Sequence, residues 1–314
     1  MMSMRFIDAA EVTRRLDRQR CIDLVREAMI ALAEGRTRQL LRGILDLDED
    51  NLFGVMPGAL DDVGFGAKLI SIFPSAAAMG KSHQGVIVLF DPHTGAPCCV
   101  VDAGEVTAIR TACASAVATA ALARADAHRL AILGTGEQAW QHALAMPLVR
   151  PVDSITLWGR NAEKAEALAR QVEQETGFPV MVATSPAEAA DGADIICTTT
   201  AASEPVLLSH DVAAGTHINL VGSSHAGPVE IDDRLVVRSR FFPDHREGVL
   251  RQGAEFLRAR DAGLIDEGHV LPEIGHVLAG NAEGRRSETD VTIYKSLGSI
   301  VQDLACAAWL DRGN

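Results

Sequence analysis

The sequence predicts an α/β protein with a Rossmann-type, doubly wound parallel sheet and a second, discontinuous α+β domain. From residue 112 onward, short apolar runs alternate with helical patterns of about a dozen residues, which is the pattern of βαβ units. A Gly-Thr-Gly turn directly follows one of those apolar runs. The chain has 314 residues, more than one ordinary core needs, so two domains are expected.

Composition limits the classes of partner. The formal net charge is −13, whereas a phosphate backbone or an anionic membrane is bound through clustered Lys and Arg. We therefore expect neither nucleic acid nor membrane as a partner. The first twenty residues carry frequent charges and offer no apolar stretch for a signal peptide, which predicts a cytoplasmic protein. The six cysteines are interpreted as small apolar residues, and no metal site is predicted because the histidines lack ligand spacing.

The first 110 residues contain β-like runs at 67–73, 85–90 and 98–102. The segment "DPHTGAP" between the last two has turn chemistry, which predicts an antiparallel hairpin. A final helix over roughly 296–312 is expected to return to this region. The predicted division therefore has residues 1–112 and 294–314 in one domain and residues 113–293 in the dinucleotide-binding domain.

The middle region predicts an ordered series of helices and strands. The helices are expected at 112–124, from 137, at 161–176 and from 185, and the strands at 130–133, 154–158, 180–183, 194–199 and 217–222. Ser185 is suited to cap its helix, since Pro186 fits the first turn and Glu188 lies three residues after the cap.

The turn after the 130–133 strand, G-x-G-x-x-A over residues 134–139, has the chemistry of a dinucleotide cradle. Gly134 permits a sharp turn, Gly136 lets backbone N–H groups approach a pyrophosphate, and Ala139 keeps helix and strand close. The N-terminus of the following helix adds unpaired N–H donors and partial positive charge. Residues 134–138 are therefore predicted to bind the cofactor.

The end of the next strand bears on which cofactor binds. An acidic residue there usually accepts from the ribose 2′-hydroxyl of NAD, whereas a cation suits the 2′-phosphate of NADP. This strand is followed by Gly159, Arg160 and Asn161. NADPH is thus the favoured cofactor; if Arg160 is only a solvated charge, NADH is accepted as well.

Three cations upstream, Arg42, Lys68 and Arg110, are predicted to lie next to strand or helix ends. Arg suits two-point binding of a carboxylate, and Lys adds a compact charge. In an acidic protein such a group would attract a small carboxylate. Taken one at a time, each cation fits a solvated surface charge better than a binding residue.

The arrangement as a whole resembles the ornithine cyclodeaminase and mu-crystallin family. The resemblance runs from about residue 25 to the end of the chain and rests on T-x-x-R-T-A at 107–112 followed by G-T-G-x-Q-A at 134–139. It is also carried by "AKLISIFP", "THINLVGSSHAGPVEIDD" and "VTIYKSLGSIVQDLACAAW".

The resemblance implies a homodimer, with the first domain serving substrate binding and dimerisation, and nicotinamide-dependent chemistry at the α-carbon of an amino or imino acid. It implies that Arg42, Lys68 and Arg110 are the substrate-carboxylate and cofactor-side cations. Met56 is expected to line the substrate end of the pocket. Asp303 is expected to pair with one of the cations or to cap the cleft. The residues expected to bind the cofactor are Thr111, Gly134, Thr135, Gly136, Glu137, Gln138, Gly159, Arg160, Asn161, Thr199, Val221, Gly222, Ser223 and Gly298.

One position departs from the cyclodeaminases. Their loop near the nicotinamide carries an Asp as general base, where this chain has Ser224, and mu-crystallin-like ketimine reductases resemble this chain in having Ser there. A serine hydroxyl takes up no proton near neutral pH. The predicted catalytic residues are Lys68, Ser224 and His225, the last as a replacement proton carrier.

The prediction is accordingly an NAD(P)H-dependent reductase of the C=N bond of a small α-imino or cyclic imino acid, such as pyrroline-2-carboxylate or piperideine-2-carboxylate. Three alternatives stay open: an ornithine cyclodeaminase that releases ammonia, an alanine dehydrogenase-like enzyme, and a ligand-binding protein without turnover.

Overall fold

The computed structural model describes residues 4–73, 75–76 and 83–313. The described chain divides into two compact units. The first unit comprises Met1–Arg110 and Ser299–Asn314, and the second comprises Thr111–Gly298.

A mixed sheet forms the centre of the first unit. Its strands are β1 (Arg5–Ile7), β2 (Thr37–Gln39), β3 (Gly43–Asp46), β4 (Leu52–Leu60), β5 (Gly64–Ile72), β6 (His83–Phe90) and β7 (Pro97–Asp102). Within the described residues their order is β1-β7-β6-β5-β4-β2, with β3 also pairing with β4. β6 and β7 pair antiparallel, as the hairpin prediction requires.

Three helices belong wholly to the described part of this unit: α1 (Ala9–Arg15), α2 (Arg18–Ala33) and α11 (Ile300–Arg312). Asp17 caps α2, and Ser299 caps α11 by accepting from the Val301 N–H. Almost every residue of α11 is buried, because the helix packs on α2 on one side and on β4 and β5 on the other. The C-terminal helix therefore does return to the first region, and it carries polar side chains into that core.

The second unit contains a parallel sheet with helices. Its strands are β8 (Arg129–Leu133), β9 (Ser154–Trp158), β10 (Val180–Val182), β11 (Ile195–Thr198), β12 (His217–Leu220), β13 (Arg240–Pro243) and β14 (Thr292–Lys295). Among the described residues the order is β10-β9-β8-β11-β12-β14-β13, and every neighbouring pair is parallel. The predicted Rossmann-type fold class is confirmed.

Two of the predicted helices of this unit begin at capping side chains that the sequence offers. The helices of the unit are α4 (Glu137–Ala145), α5 (Ala162–Thr176), α6 (Pro186–Ala190), α7 (Asp233–Arg238), α8 (Arg246–Gln252), α9 (Ala254–Asp261) and α10 (Ile274–Leu278). Ser185 caps α6 by accepting from the Glu188 N–H, as predicted, and Asn161 caps α5 by accepting from the Lys164 N–H. The sequence did not predict α7–α10, β13 or β14.

The Ala-rich helix starts earlier than its pattern suggested. The predicted span was 112–124, whereas α3 runs over Ala103–Leu122. Its start is fixed by Asp102, whose side chain accepts from the Glu105 N–H at 2.8 Å. Arg110 consequently lies inside a helix, and Lys68 lies inside β5, so the expectation that they flank element ends is wrong.

Candidate active site

The first group of predicted site residues lies in the first unit, around Lys68. Burial alternates along β5, and Lys68 occupies an inward position at 2% exposure, directly opposite Met56 of β4. Met56 is buried as well. A lysine at an inward strand position needs polar partners, because an unpaired ammonium in a core is strongly destabilising.

The partners of Lys68 come from two helices. Lys68 Nζ donates to Thr107 Oγ1 of α3 at 2.6 Å and to Asp303 Oδ1 of α11 at 3.0 Å. Arg110 Nε donates to the same Asp303 oxygen at 3.1 Å, and Arg110 Nη1 donates to Gln302 Oε1 at 3.2 Å. One carboxylate therefore joins two predicted cations. We call Lys68, Thr107, Arg110, Gln302 and Asp303 the cation cluster.

Burial and charge set the protonation of this cluster. Burial lowers the pKa of Lys68 to about 8, and the charges of Arg110 and Arg42 act in the same direction while Asp303 opposes them. Burial alone would raise the pKa of Asp303, but the positive charges of Arg110 and Lys68 outweigh it and hold that pKa below its ordinary value. Asp303 is therefore an anion, and Lys68 carries a proton that it releases only slightly above neutral pH.

Arg42 lies just before β3, half-buried, and close enough for its charge to affect Lys68. The structure thus brings Arg42, Met56, Lys68 and Arg110 into one neighbourhood. The expectation that Asp303 pairs with a cation is borne out by the geometry, which pairs it with two. Sequence reasoning missed Thr107 and Gln302. Thr107 lies three residues before Arg110 on the same helix, a spacing that could have suggested it, whereas Gln302 is directly next to Asp303 and gives no such signal.

Two buried polar atoms in the cation cluster make no hydrogen bond within the described part of the chain. They are Asp303 Oδ2 and Gln302 Nε2. Buried polar groups in proteins are nearly always paired, so orphaned atoms beside two cations mark a place where a polar ligand or water is expected.

The second group of predicted residues lines a cleft of about 530 Å³ in the second unit. Its lining consists of Gly134, Thr135, Gly136, Trp158, Gly159, Arg160, Asn161, Lys164, Thr199, Thr200, Ala201, Ala202 and Val206. These residues follow the carboxyl ends of β8, β9 and β11, which is where ligands bind in open parallel sheets. The volume suits a small-molecule or cofactor site.

The glycines of this cleft fit a dinucleotide for two different reasons. Gly134 is buried with φ +133°, and a Cβ there would lie 2.4 Å from Thr199 Oγ1, so the tight turn excludes any side chain. Gly136 is exposed, and a Cβ there would meet nothing within 4 Å. The space at Gly136 is therefore available to a ligand that approaches the backbone at the start of α4.

Arg160 and Lys164 both line the cleft, and both are exposed. Lys164 lies on the first turn of α5, where its own N–H is satisfied by Asn161. Sequence reasoning singled out Arg160 and missed Lys164, although its position four residues later puts both near the start of one helix. The cleft thus has two cations at one end.

Other predicted residues lie away from the lining of this cleft. Glu137 and Gln138 are the first residues of α4, and Thr111 is a buried residue of α3. The segment 221–225 follows β12, with Val221 and Ser223 buried and with Ser224 and His225 half-buried. Gly298 follows β14 with φ +85°, and its N–H donates to Asp244 Oδ2.

The described helices and side chains carry two further findings. None of these helices combines the length and apolar character needed to cross a bilayer. Within the same described ranges, no three His, Cys, Asp or Glu side chains lie together as metal ligands do.

A model of the ornithine cyclodeaminase/mu-crystallin family matches residues 2–311. The chain belongs to this family. It is 32% identical over 295 residues to a Delta(1)-pyrroline-2-carboxylate reductase of Bacillus cereus, covering 92% of this chain and 90% of the relative. It is 34% identical over 278 residues to the mouse (Mus musculus) ketimine reductase mu-crystallin, covering 87% and 84%.

A solved structure gives the same picture. The Delta(1)-pyrroline-2-carboxylate reductase of Thermococcus litoralis, in complex with NADH and L-proline, superposes with a TM-score of 0.95 at 30% identity. The match covers 98% of this chain and 97% of the other. These relatives confirm the predicted family and fold class and the prediction of a nicotinamide-dependent enzyme.

Proposed function

We propose that the protein reduces the C=N bond of a small α-imino or cyclic imino acid with NAD(P)H, pyrroline-2-carboxylate and piperideine-2-carboxylate being the first substrates to test. The observation that carries this proposal is the cation cluster, in which Asp303 joins Lys68 and Arg110 in the core. The reductase names of its relatives support the same class of substrate.

The cluster is suited to an anionic ligand because its cations outnumber its carboxylate. Lys68 and Arg110 are two cations, and both pair with the one carboxylate of Asp303. A substrate carboxylate would balance the remaining positive charge. It would also bring acceptors to the donors of Arg110, whose planar fork matches a carboxylate.

Reduction of the imine adds a hydride at carbon and a proton at nitrogen. Bound NAD(P)H supplies the hydride, and the protein must hold the substrate and control the proton. Lys68, with its pKa near 8, is protonated at neutral pH and is a proposed donor of the proton that the imine nitrogen takes up. Ser224 and His225, on the segment after β12, are the other proposed catalytic residues, and His225 is the proposed proton carrier of the two.

The absence of a carboxylate at Ser224 argues against an ornithine cyclodeaminase. That reaction must remove protons from the substrate amine, for which a serine hydroxyl is too weak a base near neutral pH. An alanine dehydrogenase-like enzyme would differ in the imine it accepts. A protein that binds ligand without turnover would have no use for buried cations at a carboxylate site, since burying them is costly.

We also propose NADPH as the preferred cofactor. Arg160 and Lys164 place two exposed cations at one end of the cleft, which suits the extra phosphate of NADPH. NADH is the alternative, and it is the cofactor in the Thermococcus litoralis complex. Gly134, Thr135, Gly136, Gly159, Asn161 and Thr199 would hold the rest of the dinucleotide.

We further propose a cytoplasmic homodimer that forms through the first unit. The segment from Leu40 to Leu47 exposes several large apolar side chains, among them Ile44 and Leu45 of β3. Exposed apolar patches of this kind mark association surfaces.

The experiment is an assay panel with purified protein. NADPH or NADH is supplied with pyrroline-2-carboxylate, piperideine-2-carboxylate, or pyruvate plus ammonia, and the loss of reduced cofactor is followed by absorbance. A parallel reaction with ornithine and NAD is assayed for ammonia. Cofactor oxidation with a cyclic imine supports the proposal, and ammonia release from ornithine without net cofactor consumption overturns it.

A further inference from the structure

We propose that Glu230 is a positioning residue that, with the buried ion pair of Lys295 and Glu255 beside it, fixes two cofactor-facing loops of the second unit. These loops are residues 199–202, which follow β11, and residues 221–225, which follow β12. That they face the cofactor rests on the proposed function. None of these three charged residues was singled out from the sequence.

Glu230 is fully buried, and donors from both loops converge on its two carboxylate oxygens. Oε1 accepts from the backbone N–H of Thr200 at 2.7 Å and from its hydroxyl at 2.8 Å. Oε2 accepts from the N–H of Gly222 at 2.7 Å and from the Thr198 hydroxyl at 2.7 Å. One side chain therefore links the loop that lines the cleft to the loop that carries Ser224.

Gly222 shows how closely these two loops approach each other. A Cβ at this position would lie 2.0 Å from the carbonyl oxygen of Thr200 and 2.5 Å from Glu230 Oε1. Such contacts are far inside van der Waals distance, so this position accepts only glycine while Glu230 stays in place. The contact between the loops is thus determined by the backbone and by the carboxylate together.

The ion pair fixes the next residue of the same loop. Lys295 Nζ donates to the carbonyl oxygen of Ser223 at 2.6 Å and lies 2.7 Å from Glu255 Oε2. Glu255 Oε1 accepts in turn from the backbone N–H of Glu230 at 3.3 Å. Lys295 and Glu255 are both fully or almost fully buried. The segment before Ser224 is therefore held at Gly222 by Glu230 and at Ser223 by Lys295.

Burying the Glu230 carboxylate destabilises the fold unless its hydrogen bonds are all formed. Burial raises the pKa of Glu230, and the donors from Thr200 and Thr198 together with the charge of Lys295 oppose that rise. The four donors, from Thr198, Thr200 and Gly222, offset the cost of burying the carboxylate. The two backbone N–H donors among them belong to the two loops, which suits a positioning role.

The test compares Glu230→Gln with a matched control, Asp194→Asn. Asp194 is also a buried carboxylate of the second unit, and it accepts from the backbone N–H groups of His128 and Arg129 and from Arg124. It lies just before β11, at the amino edge of the sheet, whereas Glu230 serves the carboxyl edge. In both variants an amide NH₂ replaces an acceptor that faces backbone N–H groups.

Both variants are expected to lower Tm, but Glu230→Gln alone is expected to raise the Kd for NADPH, by about ten-fold or more, since it removes hydrogen bonds to a charged group. Binding is followed by energy transfer from Trp158, which lines the cleft, to the reduced nicotinamide ring. Hydrogen exchange at the Gly222 and Thr200 amides is expected to speed up in Glu230→Gln and not in Asp194→Asn.

A wild-type Kd together with unchanged protection of these two amides in Glu230→Gln would overturn the proposal. If Glu230→Gln does not fold, Thr198→Val removes one donor to Glu230 without touching the cleft lining. It is then expected to raise the NADPH Kd about three-fold, and an unchanged Kd counts against the proposal. The Kd and the hydrogen-exchange rates are measured without substrate. A protein that binds NADPH but reduces no imine would therefore contradict the proposed function, while these two measurements would still test the role of Glu230.

Discussion

Lys68 Nζ lies 3.0 Å from Asp303 Oδ1, and these side chains are 2% and 0% exposed. The two residues are 235 positions apart in the chain, so the pair exists only because α11 packs against β5. The same oxygen also accepts from Arg110. Asp303 thus orients both cations proposed to bind the substrate carboxylate, and it should control the charge of Lys68.

This pairing predicts a pH dependence. In the proposed site, substrate binding uses the Lys68 ammonium, so kcat/KM for the imine should fall as pH rises through about 8, the lowered pKa of Lys68. Asp303 raises that pKa by its charge, and in Asp303→Asn the alkaline fall should therefore begin at lower pH. The measurement is the pH profile of kcat/KM for the wild type and for Asp303→Asn. Gln302→Met, a neutral change at the adjacent residue, should weaken binding through Arg110 and leave the midpoint of the fall in place.

Lys68→Ala should raise the KM for the imine substrate by about ten- to a hundred-fold, because a charged hydrogen bond to the carboxylate is lost. The Kd for NADPH should not change, since the residues proposed to bind the cofactor lie in the other unit. Steady-state kinetics give the KM for the imine, and a binding titration gives the Kd for NADPH. Arg36→Ala, which removes an exposed cation paired with Glu34, is the control, and a wild-type KM for Lys68→Ala would mean that the carboxylate binds elsewhere.

The two glycines of the turn should respond differently to alanine. Gly134→Ala places a Cβ against Thr199 in a backbone conformation that disfavours alanine, so it should lower both Tm and cofactor affinity. Gly136→Ala meets no neighbour, so Tm should stay near the wild-type value while the Kd for NADPH rises at least about ten-fold. Thermal unfolding and cofactor titration test the contrast. A wild-type Kd for NADPH in Gly136→Ala would mean that the cofactor pyrophosphate does not bind at this turn.

Replacing both Arg160 and Lys164 by Ala should weaken NADPH binding by about a hundred-fold and NADH binding by less than about three-fold, because only NADPH carries the 2′-phosphate. Both side chains line the cleft. Arg170→Ala removes the other cation of α5, which is exposed and lies beside Glu166, and should affect the binding of neither cofactor. Equal losses for the two cofactors would leave no case for a phosphate preference.

Local chemistry made much of the second unit predictable. The strand-turn-helix around Gly134 and the Ser185 cap follow from residues that are neighbours in sequence, and both are found. The start of α3 was missed because the alanine-rich pattern begins near residue 112, whereas the helix begins at the cap provided by Asp102. A single capping side chain outweighed the composition of the segment.

Buried polar partners were harder to predict. Asp303 was expected to pair with a cation, but its contact with both Lys68 and Arg110 depends on the packing of α11. Glu230, Glu255 and Lys295 carry no local signal, since each lies in a different part of the chain and their contact arises from the sheet order that brings β12 and β14 together. Long-range pairs of this kind are set by tertiary structure and not by spacing.

The most direct measurement of the central claim uses NADPH carrying deuterium at the transferred position, with pyrroline-2-carboxylate as substrate, and mass spectrometry of the product. We expect one deuterium at the α-carbon of the proline formed and one cofactor oxidised for each proline. Proline without deuterium, or no oxidation of cofactor while the substrate is consumed, would contradict hydride transfer to a bound imino acid.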